Sequence, residues 1–376
     1  MQIEEFKLER LQSLWENRVE INLTESGVLP YSLRELLDPD EQNELLDLRL
    51  TYGWTNGEPD LRSAIAQYYP RADREQVLVT NGSAEANFVA MWTLLEPGDE
   101  IAVMLPNYMQ IWGIARSMDV EVKPFHLRPV QDGDTGRWKP DLDELRSAVS
   151  AKTKMIVICN PNNPTGSVMT REEVDAVVEI ASSVDAILYA DEVYKGVQME
   201  GEEGPSFHDL YDKAIVASGL SKALAHPGLR IGWLVGPSEF IADAWHRNDY
   251  TTITTAIPSE YVARKILEPA RRRKILDRNR DMLRQNLGDL VSWLGRQEGR
   301  FELIPPEAGG MAFMTYDLPI GSTELSTRLR EEHSLLVLPG DVYGMDGHLR
   351  IGIGDRRDHL VEGLEILGEF AAGLTR

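Results

Sequence analysis

From about Asp60 to Gly236, short runs of consecutive apolar residues alternate with stretches in which apolar residues recur every three or four positions. The runs Gln76–Thr80, Glu100–Leu105, Met155–Cys159, Ala186–Ala190, Ala214–Ala217 and Ile231–Val235 predict strands. They are nearly continuous in hydrophobicity rather than alternating, which predicts a mainly parallel sheet covered on both faces. The intervening stretches read as amphipathic helices. Thr170-Arg171-Glu172-Glu173 spells a capping box, with Thr170 as N-cap and Glu173 reaching back, and Val174, Val177, Val178 and Ala181 then fall on one face. Asp141 is expected to cap a second helix whose Leu142, Leu145 and Val149 point inward. Such alternation implies an open α/β layer architecture, in which ligands bind beyond the carboxyl ends of the strands.

After Pro269 the pattern changes. A long charged helix is expected from Ala270 to about Gly299, then strands at Phe301–Ile304 and Met311–Tyr316, a helix near Thr323–His333, strands at Leu335–Leu338 and Leu349–Ile353, and a last helix from Asp358. Residues 1–44 show no sheet of their own and are assigned to this unit. The expected division is a large domain, 45–270, and a smaller α+β domain made of 1–44 and 271–376. A chain of 376 residues suits that division.

Composition narrows the function classes. The 42% hydrophobic and 27% charged residues are ordinary for a globular protein. The lone cysteine, Cys159, follows the apolar run Met155–Ile158 and reads as a small buried hydrophobe rather than a catalytic thiol. With 61 acidic against 39 basic residues the net charge is −22, which argues against a nucleic-acid partner. The one basic run, Arg271-Arg272-Arg273-Lys274, is read as a solvated helix face rather than a phosphate patch. The stretch Met1–Glu20 is too charged for a signal peptide, and no apolar run approaches the length of a membrane span, so a cytoplasmic location with no membrane partner is expected.

Four strand ends carry unusual polar groups. Asn160-Pro161-Asn162-Asn163-Pro164-Thr165-Gly166 forces a turn that can present the Asn163 side chain. Asp191-Glu192-Val193-Tyr194 follows a buried run, where carboxylates are costly unless paired. Ser218-Gly219-Leu220-Ser221-Lys222 is followed eight residues after the lysine by Arg230, a pair able to hold a carbonyl and a phosphate together. Asn81-Gly82-Ser83-Ala84-Glu85 opens a helix whose free N–H groups make an anion site.

Together and in this order these segments resemble the fold-type I pyridoxal-5′-phosphate (PLP) enzymes, in particular the class I/II aminotransferases, from Tyr52 to Arg350. The resemblance implies a large domain with a mainly parallel sheet plus a smaller α+β domain, and PLP as cofactor. It also implies roles. Lys222 resembles the family's Schiff-base lysine, which also moves the α-proton. Asp191 resembles the carboxylate that keeps the pyridine nitrogen protonated. Tyr194 and Asn163 resemble the pair that bonds the cofactor's phenolic oxygen. Arg230 and Ser221 resemble phosphate ligands, with Gly82, Ser83 and Ala84 as the helix-end cradle. Tyr108 matches the ring stacked on the pyridine, and Tyr52 matches the tyrosine that reaches a phosphate in the neighbouring subunit, which implies a homodimer with shared active sites. Arg350, in His348-Leu349-Arg350-Ile351-Gly352, resembles the arginine that grips the substrate α-carboxylate. Asn163 and Gly27 complete the expected substrate contacts.

Two departures bear on function. Gly219 stands where many members carry a phosphate-binding Ser or Thr, with Ser218 one place earlier. The segment Glu25-Ser26-Gly27-Val28 is not the usual aminotransferase entry loop and is similar to that of capreomycidine synthase-like enzymes, which eliminate and cyclise. The expected activity is transfer of the α-amino group of an L-amino acid to a 2-keto acid. The alternative is a PLP-dependent elimination, cyclisation or oxidation of an amino acid. A PLP-binding regulatory domain would need a DNA-binding segment, and the residues ahead of Tyr52 contain no basic helix-turn-helix. Trp54, Trp112, Tyr250 and His226 are candidates for the side-chain pocket.

Overall fold

The computed structural model describes residues 2–131 and 136–374. Its principal sheet has eight strands in the order Val77–Thr80, Gly232–Val235, Ala214–Gly219, Ile187–Asp191, Thr153–Cys159, Glu100–Leu105, Glu121–Val130 and Arg137–Pro140. The five from Ala214–Gly219 to Glu121–Val130 run parallel to one another. Gly232–Val235 is antiparallel to both neighbours, and Arg137–Pro140 is antiparallel to Glu121–Val130.

The apolar runs predict the central strands because these are covered twice. Ile101, Val103, Met155 and Val157 pack on one side, while Ala102, Ile156 and Ile158 pack on the other. Each such Ile or Val is worth about 1.5–3 kcal/mol relative to exposure, and the layer as a whole holds the strand ends rigid. The capping box at Thr170 and Glu173 is present, and the Asp141 side chain accepts from the N–H of Glu144. Two strands escape the sequence pattern. Glu121–Val130 contains two prolines and buries only Phe125 and Leu127, so it has neither an apolar run nor clean alternation. Arg137–Pro140 is a four-residue edge strand.

A second, four-stranded antiparallel sheet has the order Phe301–Leu303, Met311–Tyr316, His348–Gly352 and Leu338–Pro339. The helices Pro269–Leu294, Ser322–His333 and Arg357–Gly373 accompany it. The N-terminal stretch does contribute a strand, contrary to its sequence pattern. Ile21–Asn22 pairs in parallel with Leu335–Leu336, a two-residue pairing too short to leave a pattern. From there the chain is stitched onward, by Gly352 N–H to Leu23 O (2.7 Å), Gly310 N–H to Ser26 O (3.1 Å) and Leu29 N–H to Gly354 O (2.8 Å). Gly27 thereby lies between Gly310 and Gly354, where a Cβ on Gly354 would come within 1.9 Å of its carbonyl oxygen.

The basic run at 271–274 is not simply a solvated face. Arg271 pairs with Glu41 at 2.8 Å, and Arg272 pairs with Glu203 at 3.3 Å and stacks over Tyr68. Their partners come from segments far away in sequence. Among the described residues no helix is long and apolar enough to cross a membrane.

Candidate active site

Asp191 ends the strand Ile187–Asp191, level with Cys159 and Ala217 on the flanking strands. Its side chain is 7% exposed and takes one hydrogen bond, from Val193 N–H at 3.1 Å. Burial pushes its pKa up to about 6, against the opposing effects of that N–H and the Lys222 charge. Its neighbour Glu192 has a structural explanation, since its Oε1 accepts from Ser206 Oγ and Phe207 N–H at 3.0 and 2.9 Å. Cys159 is buried, with Sγ 3.2 Å from Pro161 O.

Lys222 stands after the strand Ala214–Gly219, and its Nζ lies 2.7 Å from Glu25 Oε1. The same oxygen accepts the N–H groups of Ser26 and Gly27 at 2.9 and 2.8 Å. Desolvation in the cleft raises the Glu25 pKa, but the Lys222 ammonium, the Gly27 N–H and the Arg350 charge prevail and hold it at about 2. Gly27 abuts this pair, for a Cβ there would sit 3.2 Å from Ser221 O and 3.7 Å from Lys222 Cδ. Tyr194 is buried and donates to Ser26 Oγ at 2.9 Å. The entry segment is therefore joined both to the lysine and to the strand end that carries Asp191. Sequence reasoning singled out Glu25 as part of an unusual loop but gave it no partner.

Arg350 lies on the strand His348–Gly352 and is only 1% exposed. Its Nη1 donates to Asn163 Oδ1 at 2.9 Å and its Nη2 to the Thr24 carbonyl, while buried Nε has no partner among the described residues. Tyr343, which sequence reasoning missed, adds a 3.4 Å hydroxyl contact to the same Asn163 oxygen. The Asn163 oxygen thus faces Arg350, and its amide N–H groups are left for another acceptor.

The helix Ser83–Leu94 begins with Gly82 as its N-cap at φ +83°. A Cβ on Gly82 would collide with Arg230 at 2.2 Å, and one on Gly232 would lie 2.4 Å from Ser83 N. Two glycines therefore let the helix end, the next strand and a guanidinium converge. Arg230 Nη1 is 3.5 Å from Ser221 Oγ and donates to Pro227 O at 3.0 Å. Gly219 is explained by the same crowding, because a Cβ there would be 2.9 Å from Ile231 O. Ser218 turns away and donates to Glu192 O at 3.3 Å.

Tyr108 donates its hydroxyl to Glu9, and the Phe6 ring meets it edge-on at 5.0 Å. Among the side-chain pocket candidates, His226 packs flat on Tyr31 with ring centroids 5.6 Å apart, and burial lowers its pKa to about 4. Trp112 lines a crevice with Phe6 and Arg116, while Trp54 and Tyr250 are exposed. Tyr52 is 82% exposed and lines a recess of ≈ 670 Å³ with Trp54, Ile257 and Tyr261, so within one chain it is not brought to Lys222.

Residues 27–365 match the family described as Aminotransferase class I and II. The chain belongs to that family. It is 30% identical over 363 residues to capreomycidine synthase from Streptomyces vinaceus, covering 94% of this chain and 92% of the relative. It is 29% identical over 335 residues to an aspartate aminotransferase from Streptomyces avermitilis, covering 83% and 79%. The crystal structure of a PLP-dependent aminotransferase from Streptococcus suis superposes with a TM-score of 0.92 at 32% identity and full coverage of both chains. A class I and II aminotransferase-family enzyme of this kind depends on PLP, and the residues present fit that group. A glycine-lined helix end beside Arg230 suits a phosphate, an under-bonded buried carboxylate suits a protonated ring nitrogen, and Lys222 offers the amine.

Proposed function

We propose that the enzyme is an aminotransferase that moves the α-amino group of an L-amino acid to a 2-keto acid. The observation that carries this reading is Arg350. It is buried on the strand His348–Gly352, held by Asn163 and Thr24, and left with one nitrogen that has no partner among the described residues. Such a fork suits the α-carboxylate common to amino and keto acids.

When bound, PLP supplies an electron sink for the charge left as a bond to the substrate Cα breaks. Lys222 would hold it and, once freed, take the α-proton and return it through Nζ. Asp191 would keep the ring nitrogen protonated, and Tyr194 with the Asn163 amide would orient the ring. Gly82, Ser83, Ala84, Ser221 and Arg230 would bind the phosphate, and Tyr108, braced by Phe6 and Glu9, would cover the ring. Gly27 leaves room for substrate beside Lys222. The two-domain division, a cytoplasmic location and a homodimer in which Tyr52 completes the partner's phosphate site belong to the same proposal.

A second reading, elimination or cyclisation of an amino acid, is favoured by two observations. Glu25 of the unusual entry segment is ion-paired with Lys222, and the chain resembles capreomycidine synthase along most of its length. The deciding experiment adds single amino acids to PLP-loaded protein with no keto acid present. One equivalent of keto acid per site, with the amino group kept on the protein-bound cofactor, supports the aminotransferase. Continuous release of ammonia or of a cyclised product supports the second reading.

A further inference from the structure

Tyr194 and Ser26 are 168 residues apart in the chain, yet their hydroxyls lie 2.9 Å from each other and both residues are buried. The main chain fixes where the serine stands. Its N–H donates to Glu25 Oε1 at 2.9 Å, and its carbonyl accepts from Gly310 N–H at 3.1 Å. Among the described residues Tyr194 is the only hydrogen-bond partner of the Ser26 hydroxyl, and Ser26 is the only one of the Tyr194 hydroxyl. The charged and titratable groups around that tyrosine are Arg350, Asp191, Cys159, Tyr343 and Tyr108. Burial raises the Tyr194 pKa, while the Arg350 charge and the Ser26 hydrogen bond oppose the rise.

A tyrosine hydroxyl has one proton to give, whereas a serine hydroxyl rotates freely and can give one and accept two. Under the function proposed above, on which this inference rests, Tyr194 gives its proton to the ring oxygen of the cofactor. It then has none left for Ser26, and two buried oxygens facing each other with no proton between them are costly. Rotation of the serine hydroxyl supplies the missing proton. We propose that Ser26 of the entry segment is a positioning residue for the cofactor, donating to Tyr194 while Tyr194 donates to the ring oxygen. Hydrogen bonds in such a chain polarise one another, so Ser26 makes Tyr194 the stronger donor. A stronger donor stabilises negative charge on the ring oxygen. The nitrogen that joins the cofactor to Lys222 then gives up its proton at lower pH.

The test is spectroscopic and needs no turnover. PLP-loaded protein without substrate is titrated with pH while its visible absorbance is followed, and the midpoint is compared among variants. Tyr194→Phe should raise the midpoint by about one pH unit, the worth of one hydrogen bond. Ser26→Ala, which keeps both main-chain bonds, should raise it by about 0.3–0.5 unit. Ser26→Cys, a weaker donor on the same backbone, should fall between wild type and Ser26→Ala. In the Tyr194→Phe background Ser26→Ala should add nothing, because the proposed effect passes through the tyrosine hydroxyl. If Tyr194→Phe raises the midpoint and Ser26→Ala does not, or if Ser26→Ala shifts it equally in both backgrounds, Ser26 only packs the entry segment. The inference is then overturned while the proposed function stands. If Tyr194→Phe leaves the midpoint where it was, the role of Tyr194 in the proposed function falls and this inference falls with it.

Discussion

Glu25 Oε1 and Lys222 Nζ lie 2.7 Å apart although 197 residues separate them in the chain. The pair ties the entry segment to the loop after the strand Ala214–Gly219. Both side chains are part-exposed, at 47% and 27%, so the pair adds little to stability, about 0–1 kcal/mol. Its importance is chemical, since it holds the amine beside the strand ends. Lys222→Ala is therefore expected to fold with a melting temperature close to wild type while turnover falls by about 10³-fold or more. Thermal unfolding and steady-state kinetics check both halves. Retained turnover would remove Lys222 from the proposed chemistry.

Asp191 illustrates a conflict between stability and function. Its pKa is raised from 3.8 to about 6 by burial, so the folded cofactor-free protein keeps the proton to a higher pH than the unfolded chain does. The penalty vanishes well below pH 3.8, where folded and unfolded chains are both protonated. The penalty grows as the pH rises and levels off above about 6, at about 3 kcal/mol. Cofactor-free Asp191→Asn is thus expected to come within about 0.5 kcal/mol of wild type at pH 4 and to exceed it at pH 8, by up to about 3 kcal/mol. In the same variant PLP should bind weakly and turnover should nearly vanish, because an amide cannot hold the ring nitrogen protonated. Denaturant unfolding at the two pH values, paired with a PLP titration, tests the two effects separately. A variant no more stable at pH 8 would mean that Asp191 finds compensation in the free protein.

How much of this was legible in the chain depends on sequence distance. The central strands were readable because burial on both faces leaves an uninterrupted apolar run, as in Met155–Cys159. Glu121–Val130 was not, because its prolines and charges belong to a strand with only two buried side chains. The residues at strand ends were legible because Asp191, Lys222 and Asn163 each follow such a run in polar, turn-forming company. Glu25 and Tyr343 were not. Their positions depend on contacts such as Ile21 with Leu335 and Tyr343 with Asn163, which no local pattern encodes.

Arg350 holds a buried position through two polar neighbours, and its replacement separates substrate binding from cofactor binding. Arg350→Ala is expected to raise KM for amino acids by about 10–100-fold, the worth of a charge-assisted bond. The Kd for PLP should change less than about threefold, since Asp191, Arg230 and Lys222 are untouched. Some stability should also be lost, because Asn163 Oδ1 and the Thr24 carbonyl lose a donor. Parallel measurement of KM and PLP affinity decides the matter. Equal losses in both would assign Arg350 to the scaffold instead.

Tyr52 is the one proposed cofactor contact that its own chain does not bring to the site. It is 82% exposed, beside Trp54 on a surface recess, and nearby Leu50 is exposed to a similar degree. Large apolar and aromatic side chains in such company mark a surface that another molecule covers. If a second copy covers it and Tyr52 donates to the partner's phosphate, two results should coincide. Sedimentation should give twice the 42.3 kDa chain mass, and Tyr52→Phe should weaken PLP binding by about tenfold without altering either the mass or the melting temperature. The hydroxyl alone is removed, so the ring can still pack and the dimer should persist. An active monomer, or a Tyr52→Phe variant with wild-type PLP affinity, would show that each site is complete within one chain.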